Sequence, residues 1–347
     1  MNRLADAFPR LAALPRAGLI ARATPIEPLA AVDGVHVKRD DLSAADYGGN
    51  KIRKLDFLLA DAVARRRREL TVFGYAGSNF VAATSWHARK LGLHTIAGLL
   101  PQRAADYVVD NLSISLHCGS TLFVRDRDAA LAAEALARTL RSLVAGRLPY
   151  WIPPGGSNAL GALGFVDAAF ELRAQIDADL MPRPAALYVP FSSMGTVAGL
   201  CVGLALAGLP VPIMAVQVVG DRHAGRTALL RLLSRLVTLL KRYGVVVAEP
   251  ERLLAGVTIR SEFFGGEYAR ATPAVDDAID RFVTASGARA DSAYSGKALA
   301  CLYADLLRPG RRAPMLYWHT FSASALPPDV SRASAGQAPP ALRCYWN

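Results

Sequence analysis

Cysteine is scarce in this sequence, and no two cysteines have the spacing of a metal-binding or redox motif. The 347 residues include 4 cysteines, at Cys118, Cys201, Cys301 and Cys344, and none of them forms a C-x-x-C pair. Three of the four lie in apolar helical or strand-like stretches, which favours buried, reduced thiols over a disulfide framework. The sequence therefore predicts a cytoplasmic protein.

Acidic residues are also in deficit, with 29 acidic against 40 basic residues and a formal net charge of +11. The basic excess is almost all arginine in a chain rich in alanine and leucine. Such arginines either cover solvated helix faces or bind an anionic surface such as nucleic acid. We favour the solvated faces and expect no nucleic-acid partner.

Long apolar runs are missing as well. No apolar stretch approaches the roughly 20 residues that cross a membrane, and the first residues lack the apolar segment of a secretory signal. The histidines are too scattered for a recognisable metal site, and they are His36, His87, His94, His117, His223 and His319. We therefore expect neither a membrane span nor a bound metal.

What the sequence contains is an alternation of helices and strands, with 52% hydrophobic residues and length enough for two domains. Strands at 70–74, 94–100, 121–124 and 150–152 alternate with helices at 79–91, 104–116 and 128–145. This pattern predicts a small parallel-sheet domain over residues 54–157. Residues 1–53 and 158–347 are predicted to form a larger domain, with strands at 185–189, 213–219 and 315–318 and helices at 196–206, 227–243 and 273–282. From residue 327 the Pro/Ala/Ser-rich tail is predicted to be loosely ordered.

Residues 47–55 contain a glycine pair, an asparagine and a lysine, and a helical pattern begins at this lysine. Gly48 and Gly49 allow a tight turn, Asn50 suits a helix N-cap, and Lys51 begins the helix. A lysine at this end opposes the helix dipole, so its charged form is disfavoured. A neutral amine is what Schiff-base chemistry needs. On spacing alone, Lys51 is either such an amine or a solvated lysine of the first turn.

Two further turns join a predicted strand to a predicted helix. Ser192–Thr196 has the architecture that points backbone N–H groups at a phosphate, although many α/β proteins have such a turn with nothing bound. Gly74–Phe80 can hold a carboxylate, with Ser78 supplying a hydroxyl. Alternatively, Ser78 and Asn79 are a plain N-cap pair.

Together with Lys38-Arg39-Asp40-Asp41-Leu42, these segments resemble the family of 1-aminocyclopropane-1-carboxylate (ACC) deaminase and D-cysteine desulfhydrase. The resemblance runs from about residue 8 to residue 320. It implies an α/β fold with two parallel-sheet domains, which is fold type II of the pyridoxal-phosphate (PLP) enzymes, like the tryptophan synthase β-subunit. It also implies that Lys51 carries PLP covalently, that the substrate is a small amino acid, and that the enzyme is a homodimer.

The same resemblance assigns the other site residues. The implied PLP-binding residues are Lys51, Asn50, Lys54, Asn79, Ser193, Met194, Gly195, Thr196 and Ser295. The implied substrate-binding residues are Ser78, Asn79, Phe80, Tyr268 and Thr320, and the implied catalytic residues are Lys51, Ser78 and Tyr294.

Two of these positions follow the D-cysteine desulfhydrase pattern. Ser295 replaces the glutamate of the deaminases, and Thr320 replaces their leucine. A glutamate keeps the pyridine nitrogen of PLP protonated, whereas a serine hydroxyl is expected to hydrogen-bond a largely neutral nitrogen. That weaker electron sink is sufficient when a good leaving group departs from Cβ. We therefore expect β-elimination from D-cysteine or a relative, giving pyruvate, ammonia and sulfide.

Other positions depart from both subfamilies. Gly77 replaces a glutamine, Phe80 replaces a polar residue, and the segment Phe321-Ser322-Ala323 replaces a glycine pair. Three alternatives stay open: an ACC deaminase with Ser78 as nucleophile, elimination or β-replacement on another amino acid, and a non-catalytic binding protein.

Overall fold

The computed structural model describes residues 3–221, 224–310 and 313–346; His223 lies outside these ranges. The strands are β1 (Ile26–Pro28), β2 (Val35–Arg39), β3 (Glu69–Tyr75), β4 (His94–Leu100), β5 (Thr121–Val124), β6 (Tyr150–Trp151), β7 (Ala186–Phe191), β8 (Ile213–Gln217), β9 (Val257–Arg260) and β10 (Met315–His319). The helices are α1 (Arg3–Ala7), α2 (Lys51–Ala64), α3 (Asn79–Lys90), α4 (Asp106–His117), α5 (Asp128–Val144), α6 (Ala159–Asp177), α7 (Gly195–Leu206), α8 (Arg226–Arg242), α9 (Pro250–Leu254), α10 (Pro273–Ser286) and α11 (Ser295–Leu306).

The chain forms two compact units. The larger unit comprises the described residues of Met1–Leu14, Ile20–Lys54 and Ser157–Ala323. Its sheet has the order β1-β2-β10-β7-β8-β9, and every neighbouring pair except β1 with β2 is parallel. Helices connect the parallel strands because a parallel crossover needs a dozen or more residues. This unit therefore has the predicted α/β architecture.

The smaller unit comprises Pro15–Leu19, Leu55–Gly156 and the described residues of Ser324–Asn347. Its sheet has the order β5-β4-β3-β6 and is parallel throughout. The predicted fold class, α/β with parallel sheets in both halves of the chain, is therefore confirmed.

The tail differs from the prediction in two respects. The sequence predicts a loosely ordered tail in the larger domain, but the described tail residues belong to the smaller unit and contain 3₁₀ turns at Ala335–Gln337 and Pro340–Trp346. The Tyr345 hydroxyl accepts the Gln102 N–H at 2.9 Å and donates to the Gln102 carbonyl at 3.1 Å. Arg332 pairs with Asp110 at 2.6 Å. These polar anchors hold a segment whose composition alone indicates disorder.

The larger unit also contains elements that the sequence pattern did not reveal. Strand β2 is not among the predicted strands, and its Lys38 is fully buried in the sheet. The Lys38 ammonium donates to Glu171 at 2.5 Å and to Gln175 at 2.6 Å. A buried charge is tolerated when it is paired and hydrogen-bonded, and these partners come from α6, far away in sequence.

Candidate active site

The turn before Lys51 is built around two glycines that no other residue type replaces without strain. A Cβ on Gly48 would lie 2.2 Å from the Asp41 carbonyl oxygen. Gly49 has a φ of +105°, a conformation that favours glycine, and a Cβ there would lie 3.3 Å from the Thr320 carbonyl oxygen. That same carbonyl accepts the Asn50 N–H at 3.1 Å. The turn therefore fixes the start of α2 against the end of β10.

Lys51 is the first residue of α2, as predicted. The surrounding protein lowers its pKa to about 8, chiefly by burial, while the charge of Asp291 opposes the shift. The direction agrees with the sequence argument, but burial is the first cause. The Lys51 Nζ lies 5.7 Å from the centroid of the Tyr294 ring. An amine that is partly neutral near pH 8 has the reactivity that covalent catalysis by lysine requires.

The turn between β7 and α7 forms an anion cradle around Ser157. Met194, in the left-handed conformation with φ of +69°, is the N-cap of α7. The Ser157 hydroxyl accepts the Gly195 N–H and the Lys54 Nζ, each at 3.1 Å, and donates to Ser193 Oγ at 2.8 Å. Ser157 is not among the residues that the sequence predicts to bind the cofactor, and the fold alone brings it to this turn.

The cradle has the chemistry of a phosphate site. Helix α7 directs its N-terminus and the Gly195 N–H toward it, and helix N-termini favour anions. A Cβ on Gly195 would lie 2.6 Å from Ser157 Oγ and 2.9 Å from Lys54 Nζ, so only glycine keeps the space open. Burial, followed by the charge of Lys51, sets the pKa of Lys54 well below its usual value. A dianion here would supply the opposite charge, and the phosphate group of PLP therefore fits these residues.

Asn50 connects the lysine turn to the cradle. Its Nδ2 donates to Thr196 Oγ1 at 3.3 Å, so the predicted cofactor residues of α2 and α7 lie together. The structure thus joins Asn50, Lys54, Ser193, Gly195 and Thr196 in one group, with Met194 as the backbone turn beside them.

A second cluster lies at the start of α11. The Tyr268 and Tyr294 hydroxyls are 2.8 Å apart, and their rings pack edge to face. The Ser295 hydroxyl donates to Asp291 Oδ2 at 2.8 Å. Asp291 was missed in the sequence, although its position four residues before Ser295 was a readable signal for a side chain folding back onto a helix start.

The last residue of β10, His319, and the residue after it, Thr320, meet these clusters differently. Thr320 contributes its backbone carbonyl to the lysine turn. His319 is fully buried, and burial lowers its pKa to about 4, so the imidazole is neutral at physiological pH. The Tyr317 hydroxyl lies 3.3 Å from His319 Nδ1.

The remaining predicted residues lie at the start of α3 in the smaller unit. Ser78 is the N-cap of α3, and its hydroxyl accepts the Val81 N–H at 3.3 Å. The Asn79 Oδ1 accepts Asn111 Nδ2 at 2.7 Å, which leaves the Asn79 amide nitrogen as a donor. Phe80 is 2% exposed and packs against Gly156 within this unit.

Gly77 departs from the family for a local steric reason. A Cβ at this position would lie 2.8 Å from Val108 and 2.9 Å from the Tyr107 ring. The Gly77 N–H donates to Gln102 Oε1 at 2.9 Å, and Asn111 donates to the Gly77 carbonyl at 2.9 Å. The side-chain amide of Gln102, from the loop between β4 and α4, thus lies beside the position where the family carries a glutamine.

The described residues were searched for metal-ligand groups and for membrane-spanning helices. Among residues 3–221, 224–310 and 313–346, no group of three or more His, Cys, Asp or Glu side chains is placed to hold a metal ion. Within the same ranges, no helix is both long enough and apolar enough for a transbilayer segment.

Comparisons with known proteins show which family this chain resembles. A family model described as pyridoxal-phosphate dependent enzyme matches residues 19–320. D-cysteine desulfhydrase of Yersinia enterocolitica is 32% identical over 328 residues, which cover 91% of this chain and 96% of that protein. Nocardicin C-9' epimerase of Nocardia uniformis subsp. tsuyamanensis is 32% identical over 350 residues, which cover 96% of this chain and 99% of that protein. The crystal structure of an ACC deaminase homologue superposes with a TM-score of 0.76 at 29% identity, covering 91% of this chain and 94% of that one.

The family match spans most of the chain and includes the lysine turn, the anion cradle and the α11 cluster. The relatives are PLP enzymes, so the alternative of a non-catalytic binding protein is set aside. This chain belongs to the family of pyridoxal-phosphate dependent enzymes.

Proposed function

We propose that this enzyme is a lyase that eliminates a Cβ substituent from a small amino acid, with D-cysteine as the model substrate. The observation that carries the proposal is the pairing of Lys51, with its lowered pKa, and the anion cradle at α7 in one unit. D-cysteine and one water would give pyruvate, ammonia and hydrogen sulfide. The identity to D-cysteine desulfhydrase over 91% of the chain supports this choice.

The residues of the larger unit have distinct roles in this proposal. Lys51 would hold PLP through its ε-amine, and the same amine would serve as the base for the Cα proton of the substrate. Lys54, Ser157 and the N–H groups at the start of α7 bind the phosphate. Bound PLP supplies an electron sink for the charge left at Cα. Tyr294, beside Lys51 and hydrogen-bonded to Tyr268, orients the substrate.

Ser78 and Asn79 remain the residues predicted to bind the substrate and the cofactor ring. Asn111 fixes the Asn79 amide so that its nitrogen is a donor, which suits a phenolate oxygen such as that of PLP. Phe80 and Thr320 remain predicted specificity residues.

Covalent attachment to Lys51 is tested by borohydride reduction and peptide mapping. The pyridoxyl group is expected on Lys51, and a Lys51→Ala variant should carry none. A label on Lys54 or Lys297 in the wild type, or no label at all, would overturn the assignment.

The reaction is tested with a substrate panel. D-cysteine and β-chloro-D-alanine should yield pyruvate, whereas ACC should stay intact. If ACC opens faster than any β-substituted amino acid is eliminated, the deaminase alternative replaces the lyase, and formation of a new Cβ–nucleophile bond would indicate β-replacement.

Epimerisation at Cα is a second candidate, because the epimerase relative matches 96% of this chain at 32% identity. Incubation of each enantiomer of a substrate in D₂O separates the two reactions. Deuterium at Cα of the opposite enantiomer, without pyruvate, would identify an epimerase.

We also infer that the enzyme is a cytoplasmic homodimer. The four cysteines, all described by the structure, are free, which suits a reducing compartment. Helix α5 exposes Leu136, Leu140, Leu143 and Val144 at helical spacing, an apolar row that a second copy would cover. Sedimentation should give about twice the 37.0 kDa of one chain, and Leu140→Glu should shift the protein toward the monomer. A wild type that sediments as a monomer would contradict the inference.

A further inference from the structure

The hydrogen bonds of Ser295 determine what this hydroxyl can offer to a ligand. Ser295 is fully buried, and its Oγ accepts the Asp291 N–H at 2.6 Å. The same oxygen donates its only proton to Asp291, toward Oδ2 at 2.8 Å or the carbonyl at 3.1 Å. A hydroxyl has one proton and two lone pairs. What remains on Ser295 is therefore a lone pair, which accepts a hydrogen bond and cannot donate one.

Asp291 has the partners of a carboxylate. Its Oδ1 accepts the Tyr294 N–H at 2.5 Å, and its Oδ2 receives the Ser295 hydroxyl. Burial raises the pKa of Asp291, and the hydrogen bonds from Ser295 and Tyr294 oppose that rise. Burial lowers the pKa of the neighbouring Lys51 and Lys297 to about 8, and the negative charge of Asp291 partly opposes that shift in both.

Two further titratable groups near Ser295, Tyr317 and His319, are neutral, whereas Lys51 and Lys297 are the cations that face Asp291. The Tyr317 hydroxyl donates to the Ser295 carbonyl at 3.3 Å, and burial holds its pKa well above the usual value. His319, next to Tyr317, is neutral because burial lowers its pKa to about 4. The charge of Asp41 also acts on Tyr317 and His319, but Asp291 is the carboxylate that accepts the Ser295 hydroxyl.

We propose that Asp291, acting through Ser295, holds the pyridine nitrogen of PLP in its protonated form. Ser295 accepts the N–H of the ring with its remaining lone pair, and Asp291 supplies the compensating negative charge one hydrogen bond away. The inference rests on the proposed function, because it takes Ser295 as the partner of the ring nitrogen. It revises the expectation of a weak electron sink: the carboxylate that deaminases place at position 295 is supplied here from position 291.

The test is a nitrogen NMR measurement on protein reconstituted with PLP labelled with ¹⁵N in the ring. Protonation moves a pyridine nitrogen resonance upfield. The wild type should show the upfield, protonated position. Asp291→Asn keeps the shape and the acceptor oxygen but removes the charge, so its resonance should move downfield. Ser295→Ala removes the hydroxyl that joins Asp291 to the ring, so the nitrogen resonance of this variant should also move downfield.

A matched control separates this role from helix capping. Asp167 is another buried carboxylate of the larger unit, and it accepts the Leu4 N–H at 3.0 Å. Asp167→Asn should lower the melting temperature without moving the ring resonance. If Asp291 only stabilised the start of α11, Asp291→Asn would behave like this control.

Each outcome decides the inference. A neutral ring nitrogen in PLP-loaded wild type would overturn it while leaving covalent PLP on Lys51 intact. An unmoved resonance in Asp291→Asn would equally overturn it. Should Asp291→Asn fail to fold, Ser295→Ala decides alone, because a protonated nitrogen in that variant excludes the relay. Absence of PLP from Lys51 would remove the proposed function and the inference together.

Discussion

The anion cradle makes a sharp prediction for Gly195→Ala. The new Cβ would lie 2.6 Å from Ser157 Oγ and 2.9 Å from Lys54 Nζ, so both groups must move away. Both are ends of side chains, and the fold can accommodate their displacement. They are also the groups proposed to bind phosphate. The substitution should therefore weaken PLP binding far more than it lowers the free energy of unfolding.

The size of the effect follows from the hydrogen bonds at risk. A hydrogen bond to a charged group contributes about 1.5–3 kcal/mol. Loss of one such bond corresponds to roughly 10- to 100-fold weaker binding, since about 1.4 kcal/mol is tenfold. Titration of the apoprotein with PLP, followed by absorbance, gives the dissociation constant, and urea unfolding of the apoprotein gives the stability.

Gly199, one turn further along α7, is the matched control. A Cβ there would lie 2.3 Å from the Ala162 carbonyl oxygen, which is backbone and cannot swing aside. Gly199→Ala should therefore destabilise the fold, by about 1–3 kcal/mol as for other overpacked cores. If Gly195→Ala binds PLP as tightly as the wild type, or if it simply matches the instability of Gly199→Ala, the cradle is wrongly assigned.

Three further predictions concern other parts of the chain. Burial lowers the pKa of Lys51 from 10.5 to about 8. As the pH rises toward that pKa, the rate of PLP attachment to the apoprotein should increase about tenfold per pH unit and then level off. A stopped-flow rate that still rises toward pH 10 would contradict this. Asn111→Ala removes the donor that orients Asn79 and should lower kcat/KM by roughly tenfold, the equivalent of one hydrogen bond, whereas unchanged kinetics would leave Asn111 without a role. Tyr345→Phe breaks both bonds to the Gln102 backbone and should lower the free energy of unfolding by about 1–2 kcal/mol in urea; no change would show that the tail anchor is dispensable.

Sequence patterns identified the strands and helices that belong to regularly alternating βα units. The predicted ranges of β4 and β5 coincide with the observed ones, because alternating βα units carry clear periodicity and glycine stops. Strand β2 escaped notice because Lys38 reads as a surface residue. Its burial depends on Glu171, which only the fold brings within 2.5 Å.

The site was predictable to the extent that its parts are local in sequence. The turn containing Lys51 and the turn at Ser193–Thr196 are contiguous segments, and each lies where the sequence placed it. Ser157 and Asn111 act on residues tens of positions away, through contacts that no single segment encodes. The tail was misplaced for the same reason, since its hold on Gln102 spans more than half of the chain.

The proposed hydrogen-bonded relay from Asp291 through Ser295 bears on how the enzyme selects among elimination, ring opening and epimerisation. If the ring nitrogen is protonated, a strong electron sink serves elimination, ring opening and epimerisation alike, so sink strength cannot discriminate among them. Selectivity must then come from contacts that act differently on each substrate or transition state. In the larger unit, the hydrogen-bonded Tyr268 and Tyr294 beside Lys51 are the side chains placed to make such contacts. Substitution of Tyr268 should therefore redistribute activity among the three reactions, whereas substitution of Asp291 should slow all of them together.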